Sequence, residues 1–474
     1  MPDRIFIKDL KEYIGQEVTI AGWVDVRRDQ GKMVFFDFRD MSGKVQGVVL
    51  PASTRRQGEA GPKSGAMEVA QKIRTEWVLG VQGKVNKRPE KNINKDQLNG
   101  DIELEILDIK VLNEAETPPF DISSDGLEIG EEHRLKYRYV DLRRPRLAKN
   151  IKSRHKVIKF IRDFLDQEGF FEIETPILTK STPEGARDYI VPSRLDRGKF
   201  YALPQSPQQY KQLLMTAGFE KYFQIARCMR DEDTRGDRQP EFTQLDLEMS
   251  FVEEEDVISL TEKLLIDIVA KLYPEKKIQK VPFPRLTYKE AMDKYKIDRP
   301  DLRKNRDDSN ELAFCFIIDF PFFEKDSEGG WTFTHNPFSA PKPEHMDLLL
   351  KKENIENIKA AQYDIVLNGI EIGGGSLRNH EPKALKKVFE IMGHEEGNIE
   401  ANFGHMLKAL GAGTPPHGGI AWGLDRLLML LENETSIREV IAFPKTGEGR
   451  DPMMGSPSAV PEKHLKELGI KIIK

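Results

Sequence analysis

The chain has 474 residues, 38% hydrophobic and 32% charged, with a formal net charge of −5 at pH 7, so more than one ordinary core is expected. Its two cysteines, Cys228 and Cys315, are too far apart and too few for a disulfide framework or a cysteine zinc site. No run approaches the ~20 apolar residues that span a bilayer, and no signal-peptide core opens the chain, so a cytoplasmic protein without membrane partners is expected.

Residues 1–112 read as five short strands. Val18–Val26 alternates, as do Val34, Phe36 and Phe38; Val45–Leu50 is apolar, Trp77–Val85 is mixed, and Ile102–Leu112 alternates with one slip. Glycine-containing turns and a polar loop at 52–66 separate them. A small barrel of the oligonucleotide-binding type fits this spacing, with another compact β-barrel left open. Phe35 falls with Asp37 and Arg39 on the polar face. An exposed ring there is either incidental or a platform on which a base stacks.

"NEAETPPFDISSDG" at 113–126 resists regular structure, and residues 113–146 read as a linker or hinge. Basic residues concentrate from His133 to Lys156, as a solvated hinge or as a surface facing phosphates. From about residue 150 a helix carries Val157, Ile158, Ile161, Phe164 and Leu165 on one stripe, with Gly169 as its cap. Strands and helices then alternate irregularly. A mixed α/β (α+β) fold results, its sheet largely antiparallel and flanked by helices.

"RCMRDEDTRGDRQPEFTQLDLEMSF" at 227–251 is a charged turn followed by a strand. Thr243, Leu245, Leu247, Met249 and Phe251 share one face; Phe242, Gln244, Asp246 and Glu248 share the other. A face bearing Arg230, Gln244, Asp246 and Glu248 resembles the floor of a polar site, with cations for phosphate and carboxylates for an amine. The alternative is a solvated ladder of ion pairs, each of little worth.

"YDIVLNGIEIGGGSLR" at 363–378 carries Asn368-Gly369 between β-branched runs, the signature of a type I′ hairpin. That turn sets Leu367 opposite Ile370, Val366 opposite Glu371 and Asp364 opposite Gly373, so Asp364 and Glu371 share a face. Such a pair suits Mg²⁺ beside a phosphate substrate; two solvated acids are the bland reading. Strict alternation puts Arg378 on the other face from Glu371 unless a bulge intervenes. In "HGGIAWGLDRLLMLLENE" at 417–434, Arg426 falls in the first turn of a helix, where the macrodipole disfavours a cation. Either a bound anion or a salt bridge to Asp425 or another acid resolves that conflict.

The motif at 227–251 closely resembles motif 2 of the bacterial-type aspartyl-tRNA synthetases, a class II family, with Met229 in place of a Phe. "GFFEIETPIL" (169–178) resembles motif 1 and "GLDR" (423–426) motif 3; "STPEGARDY", "ALPQSPQQYKQLL" and "AFPKT" match too. The likeness runs over nearly the whole chain. It implies an OB-fold anticodon-binding domain at 1–112, the linker, and a class II catalytic domain at 147–474. The implied reaction joins L-aspartate to ATP as aspartyl-adenylate, then transfers aspartate to tRNA(Asp), with tRNA(Asn) an open second acceptor.

The same resemblance implies residue roles. Arg230 bridges the α-phosphate and the substrate carboxylate; Asp231, Glu232, Gln239, Gly423, Leu424, Asp425 and Arg426 lie on ATP, and Asp364 and Glu371 hold Mg²⁺. Asp246, Ser206 and Gln208 receive the α-ammonium. Lys211 and Arg378 pair with the substrate's side-chain carboxylate, while Glu184 and His335 close over it. Arg28, Phe35 and Gln46 read the anticodon, and motif 1 around Pro176 makes a homodimer. Two departures stand out: the extra domain usual after about residue 303 is absent, and His335 is followed by Asn336 rather than a second histidine. An asparaginyl- or lysyl-tRNA synthetase, an asparagine-making ligase and a non-catalytic tRNA-binding relative are the rival readings.

Overall fold

The computed structural model describes residues 4–51, 65–181 and 185–473, so most of the predicted 52–66 loop lies outside the described residues. The chain divides into two compact units, Met1–Asp121 and Ile122–Lys474.

In the first unit β1 (Glu17–Gln30), β2 (Met33–Arg39), β3 (Lys44–Val49), β4 (Val78–Lys87) and β5 (Ile102–Asn113) close into a barrel, in the order β1-β2-β3-β5-β4. Alternation sends Val34, Phe36 and Phe38 inward, and the short helix α1 (Ala66–Lys72) adds Ala70 to the same core. The slip in β5 is a bulge. Gln82 faces Asp108 but Gly83 faces Ile106, so Leu107 is extra and follows Ile106 into the interior.

The second unit opens with α2 (Glu131–Lys136) and α3 (Arg138–Asp141), followed by α4 (Pro145–Gln167). The expected hinge over 113–146 therefore ends early, and while His133 and Lys136 are exposed, three of its arginines turn inward. Arg134, Arg138 and Arg144 are buried. Arg138 donates to Asp141 at 2.9 Å and to the carbonyls of Arg438, Ile441 and Ala442 at 2.8, 3.0 and 3.0 Å. Arg134 and Arg146 grip the two carboxylate oxygens of Glu439 at 2.6 and 2.9 Å. Burial alone would raise the Glu439 carboxyl, but these arginines hold it below its ordinary value. The partners lie 305 positions downstream of Arg134, beyond the reach of any local pattern.

Helix α4 ends as predicted. Gly169 takes φ +81°, and Phe170 N and Gly169 N donate to the carbonyls of Leu165 and Asp166 at 2.9 and 3.0 Å, the paired bonds of a Schellman motif. Beyond it come α5 (Gln208–Thr216), α6 (Glu254–Leu272) and α7 (Leu424–Leu431). They flank an eight-stranded sheet of β6 (Phe171–Glu172), β7 (Lys221–Met229), β8 (Glu241–Ser250), β9 (Arg285–Thr287), β10 (Phe314–Ile318), β11 (Gln362–Leu367), β12 (Ile370–Leu377) and β13 (His417–Gly423).

The spatial order is β9-β10-β11-β12-β13-β8-β7-β6, antiparallel except for the edge pairs β9/β10 and β6/β7. One face carries Leu245, Leu247, Ile365, Leu367, Ile420 and Trp422, which share a core with residues of α4, α6 and α7. Each such fully buried side chain is worth about 1.5–3 kcal/mol. That apolar face is what frees the opposite one for polar groups. Phe251 departs from its expected place: β8 stops at Ser250, and Phe251 turns to φ +58° with 68% of its surface exposed, so alternation ends one residue short.

Candidate active site

The β11–β12 hairpin sets one wall. Asn368 and Gly369 take φ +51° and +83°, as a type I′ turn requires. Leu367 faces Ile370 and Val366 faces Glu371 as expected, but Asp364 faces Gly374, not Gly373. A bulge at Ile372 causes the difference and reverses parity along β12. Glu371, Gly374 and Ser376 thereby share a face, and Arg378, just past the strand, lines the same cavity as Glu371. The conflict over Arg378 is resolved by that one extra residue.

The cavity has a volume of about 330 Å³. Its walls include the predicted Ser206, Gln208, Lys211, Arg230, Glu232, Gln239, Asp246, His335, Glu371, Arg378, Gly423, Asp425 and Arg426, drawn from strands, loops and helices across the unit. Arg238 of the charged turn and Phe242 of the expected polar face line it as well, together with Asp233, Asp237 and Ser339, which the sequence does not single out. Leu424 is fully buried in the core and Asp231 turns outward to Arg187, its Oδ2 3.5 Å from Arg187 Nε, so neither side chain lines the wall. Glu184 lies outside the described residues.

At one end four charged side chains interlock. Lys211 Nζ lies 2.9 Å from Asp246 Oδ2 and 3.2 Å from Glu248 Oε2. Arg378 donates to Glu248 through Nε and Nη2 at 2.8 and 3.1 Å, and through Nη1 to Ser376 Oγ at 2.8 Å. All four are buried, and their charges cancel, which is the condition for holding ions away from water. Burial pushes Glu248 up, but Arg378 and Lys211 outweigh it and hold the carboxyl down at about 2. Asp246 goes the other way, because its burial exceeds the pull of Lys211. Its Oδ1 has no partner at all, nor has Gln208 Nε2. Strand parity puts Glu248 on the polar face as one of the carboxylates for an amine, but the fold commits it to Arg378 and Lys211 instead.

At the other end are the cations. Arg230 stacks over Phe242 with its guanidinium carbon 5.1 Å from the ring centre, and its Nε is buried without a partner. Arg426, in the first turn of α7, donates to the carbonyls of Glu371 at 3.0 Å and Asp237 at 3.2 Å; its Nη2 lies 3.3 Å from Asp237 Oδ2. Its acidic partner is therefore Asp237 and not Asp425. Both oxygens of Asp425 are engaged elsewhere, one by Arg154 and the other by the Thr243 N–H at 2.9 Å, so it braces α7 against β8. Gln239 accepts from Lys445 N at 2.7 Å.

Asp364 and Glu371 converge on Gly374. A Cβ there would lie 2.8 Å from Asp364 Oδ1 and 3.9 Å from Glu371 Oε1. Burial first, then the Glu371 charge, push the Asp364 carboxyl well above its ordinary value. Among the described residues no three metal-ligating side chains cluster, which disfavours an all-protein cage. Two carboxylates over a glycine opening fit Mg²⁺ that takes its other oxygens from a nucleotide and water. His335 Nδ1 lies 3.8 Å from Asp364 Oδ2, and burial lowers its pKa.

On the barrel, Arg28 lies opposite Phe35 and forks onto Asp37 at 2.9 and 2.8 Å. Gln46 Oε1 accepts from Arg28 at 3.4 Å and from Arg88 at 3.1 Å. The three predicted residues thus form one outer patch, though Phe35 is half-buried and not fully exposed.

The family model of class II tRNA synthetases (D, K and N) matches residues 130–447, and that of the OB-fold nucleic acid binding domain matches 18–112. The aspartate–tRNA(Asp/Asn) ligase of Natranaerobius thermophilus is 41% identical over 592 aligned positions, covering 98% of each chain. That of Dehalococcoides mccartyi (strain CBDB1) is 39% identical over 596 positions, again covering 98% of each. Both alignments are longer than the 474-residue chain, so these relatives carry residues that it lacks. The structure of asparaginyl-tRNA synthetase from Pyrococcus horikoshii with asparaginyl-adenylate superimposes with a TM-score of 0.74 at 22% identity, covering 94% of this chain and 99% of that one, a likeness of fold. A model match across the second unit and near-complete alignment to these ligases have one meaning: the chain belongs to the aspartate–tRNA ligases of the class II tRNA synthetases.

Proposed function

We propose that the cavity activates L-aspartate with ATP and passes the aspartyl group to tRNA(Asp) and also to tRNA(Asn). The observation that carries this reading is the unpartnered Asp246 Oδ1 beside Lys211 and Arg378. An amino acid with a second carboxylate matches it at both ends. Its α-ammonium satisfies Asp246 Oδ1, with Ser206 and Gln208 nearby. Its side-chain carboxylate meets the cations. Arg378 uses three of its five N–H groups on Glu248 and Ser376, which pins the fork and leaves two donors for a ligand. A neutral side-chain amide would put an NH₂ donor against them.

The α-carboxylate of aspartate is already a nucleophile, so positioning and electrostatics suffice. Its oxygen attacks the α-phosphorus, the new O–P bond forms, and pyrophosphate leaves with the electrons of the bond that breaks. Arg230 spans carboxylate and α-phosphate and meets the charge that grows on the phosphoryl oxygens. Arg426 receives the far phosphates, assisted by the helix N-terminus. Asp364 and Glu371 would hold Mg²⁺, which neutralises phosphate charge when bound.

Arg28, Phe35 and Gln46 form the anticodon contact, one ring for stacking and two polar groups for base edges. Phe171, Ile177 and Leu178 in motif 1 are 59, 42 and 53% exposed, an apolar surface suited to a second copy of the chain. The residues missing relative to the longer ligases belong between β9 and β10, where no further domain intervenes. The protein works in the cytoplasm; no described helix is long and apolar enough to cross a membrane. ATP–pyrophosphate exchange with aspartate, asparagine and lysine tests the first step, and only aspartate should support it. Charging purified tRNA(Asp) and tRNA(Asn) side by side tests the second. Exchange driven by asparagine would overturn the reading.

A further inference from the structure

The geometry points to Asp237 as an internal anion that occupies the phosphate position on Arg426 until the nucleotide expels it. This rests on the reading of the cavity as an ATP site. Arg426 is the third residue of α7, where the helix dipole disfavours a cation. Its three nitrogens meet three acceptors: the carbonyls of Glu371 and Asp237, and the Asp237 carboxylate. Only the carboxylate is charged, so it alone competes with a phosphate for the guanidinium.

Asp237 lines the cavity with 35% of its side chain exposed, and Arg426 keeps 22%. The pair is open to an arriving ligand. The Asp237 backbone is anchored independently of that contact. Arg235 and Arg238 exchange backbone hydrogen bonds at 3.1 and 3.2 Å across the turn, and the Gly236 carbonyl accepts from Ile437 N at 2.9 Å and Ser436 Oγ at 3.1 Å. Expulsion therefore requires rotation of one side chain, not movement of the loop. The same loop repeats the device less tightly, with Glu232 Oε2 3.4 Å from Arg238 Nη1.

Two consequences follow from the charges. The carboxylate keeps Arg426 aimed into the empty cavity, and it repels the polyanion that must replace it. It also returns as pyrophosphate departs, competing for the same guanidinium and hastening release. Asp237 is a positioning residue with an opposing effect on affinity, and that sign separates it from a plain brace.

The test uses Asp237→Asn, which keeps an acceptor but removes the charge, with Asp237→Ala as a second variant in case the first folds poorly. ATP titrated alone by calorimetry should bind about three- to tenfold more tightly to the variants, the range expected for losing a half-exposed competing ion pair. Pyrophosphate should inhibit at correspondingly lower concentration, while the KM for aspartate stays unchanged. ATP binding that is unaltered or weaker in both folded variants overturns the inference, since a brace predicts weakening. Titration of ATP alone does not depend on amino-acid activation. Tighter ATP binding by the variants, with no aspartate-dependent exchange by the unmodified enzyme, would sustain the inference and defeat the functional reading instead.

Discussion

Glu248 takes two hydrogen bonds from Arg378, at 2.8 and 3.1 Å, while its second oxygen lies 3.2 Å from Lys211 Nζ. Both partners are buried, so this carboxylate holds the two cations at this end of the cavity. Glu248→Gln leaves an uncompensated positive charge in the floor of the cavity. Loss of stability by about 3–5 kcal/mol is expected in urea denaturation. Aspartate-dependent pyrophosphate exchange should fall with it.

Sequence reasoning alone makes Arg378→Leu a variant that folds normally and merely loses exchange. Burial of the Glu248 pair changes that expectation: exchange should vanish and the unfolding midpoint should drop. Arg378→Lys restores the charge without the fork. It should recover stability more than function, with the KM for aspartate raised roughly 10- to 100-fold, as expected for a charged hydrogen bond of ~1.5–3 kcal/mol. A wild-type KM in that variant would remove Arg378 from recognition of the side-chain carboxylate.

Acid should act on the same group. Glu248 sits at about 2 in the folded chain against an ordinary 4.5, so the unfolded chain binds this proton more tightly. The stabilisation is complete above 4.5 and is lost as pH falls from there through about 2. Urea midpoints measured down that window should decline, and the decline should be shallower in Glu248→Gln.

Gly374→Ala tests the metal cradle. The added methyl meets Asp364 Oδ1 at 2.8 Å and must displace the carboxylate. Affinity for ATP with Mg²⁺ should fall by about tenfold or more, the order of a lost ligand orientation. Asp364→Asn removes a buried carboxyl whose ionisation both burial and Glu371 oppose, so it should raise the ligand-free melting temperature while abolishing the Mg²⁺ contribution to ATP binding. A lowered melting temperature would show that the carboxylate stabilises the fold and is not held for a cation.

Much of this arrangement was legible before any fold was considered. Period-2 alternation put Gln244, Asp246 and Glu248 on one face of β8, and Asn368-Gly369 defined the hairpin that brings Asp364 to Glu371. The Gly169 cap and the slip in β5 were equally visible, because each is a local matter of φ or of alternation. What stayed hidden was every pairing across long sequence separations. The arginines of 134–146 looked like a hinge because Glu439 and the carbonyls of 438–442 are distant in sequence.

Local sequence carried the five barrel strands, the helix ending at Gly169, the β11–β12 hairpin and the polar face of the sheet with its arginines and carboxylates. Backbone stereochemistry and side-chain period carry that information within a few residues. The bulge at Ile372 that turns Glu371 and Arg378 toward one cavity, and the choice of Asp237 over Asp425 opposite Arg426, come from packing in the folded chain. Those outcomes depend on which strands and loops become neighbours, and the free energy of neighbouring groups is set by packing and burial, which no short stretch of chain encodes.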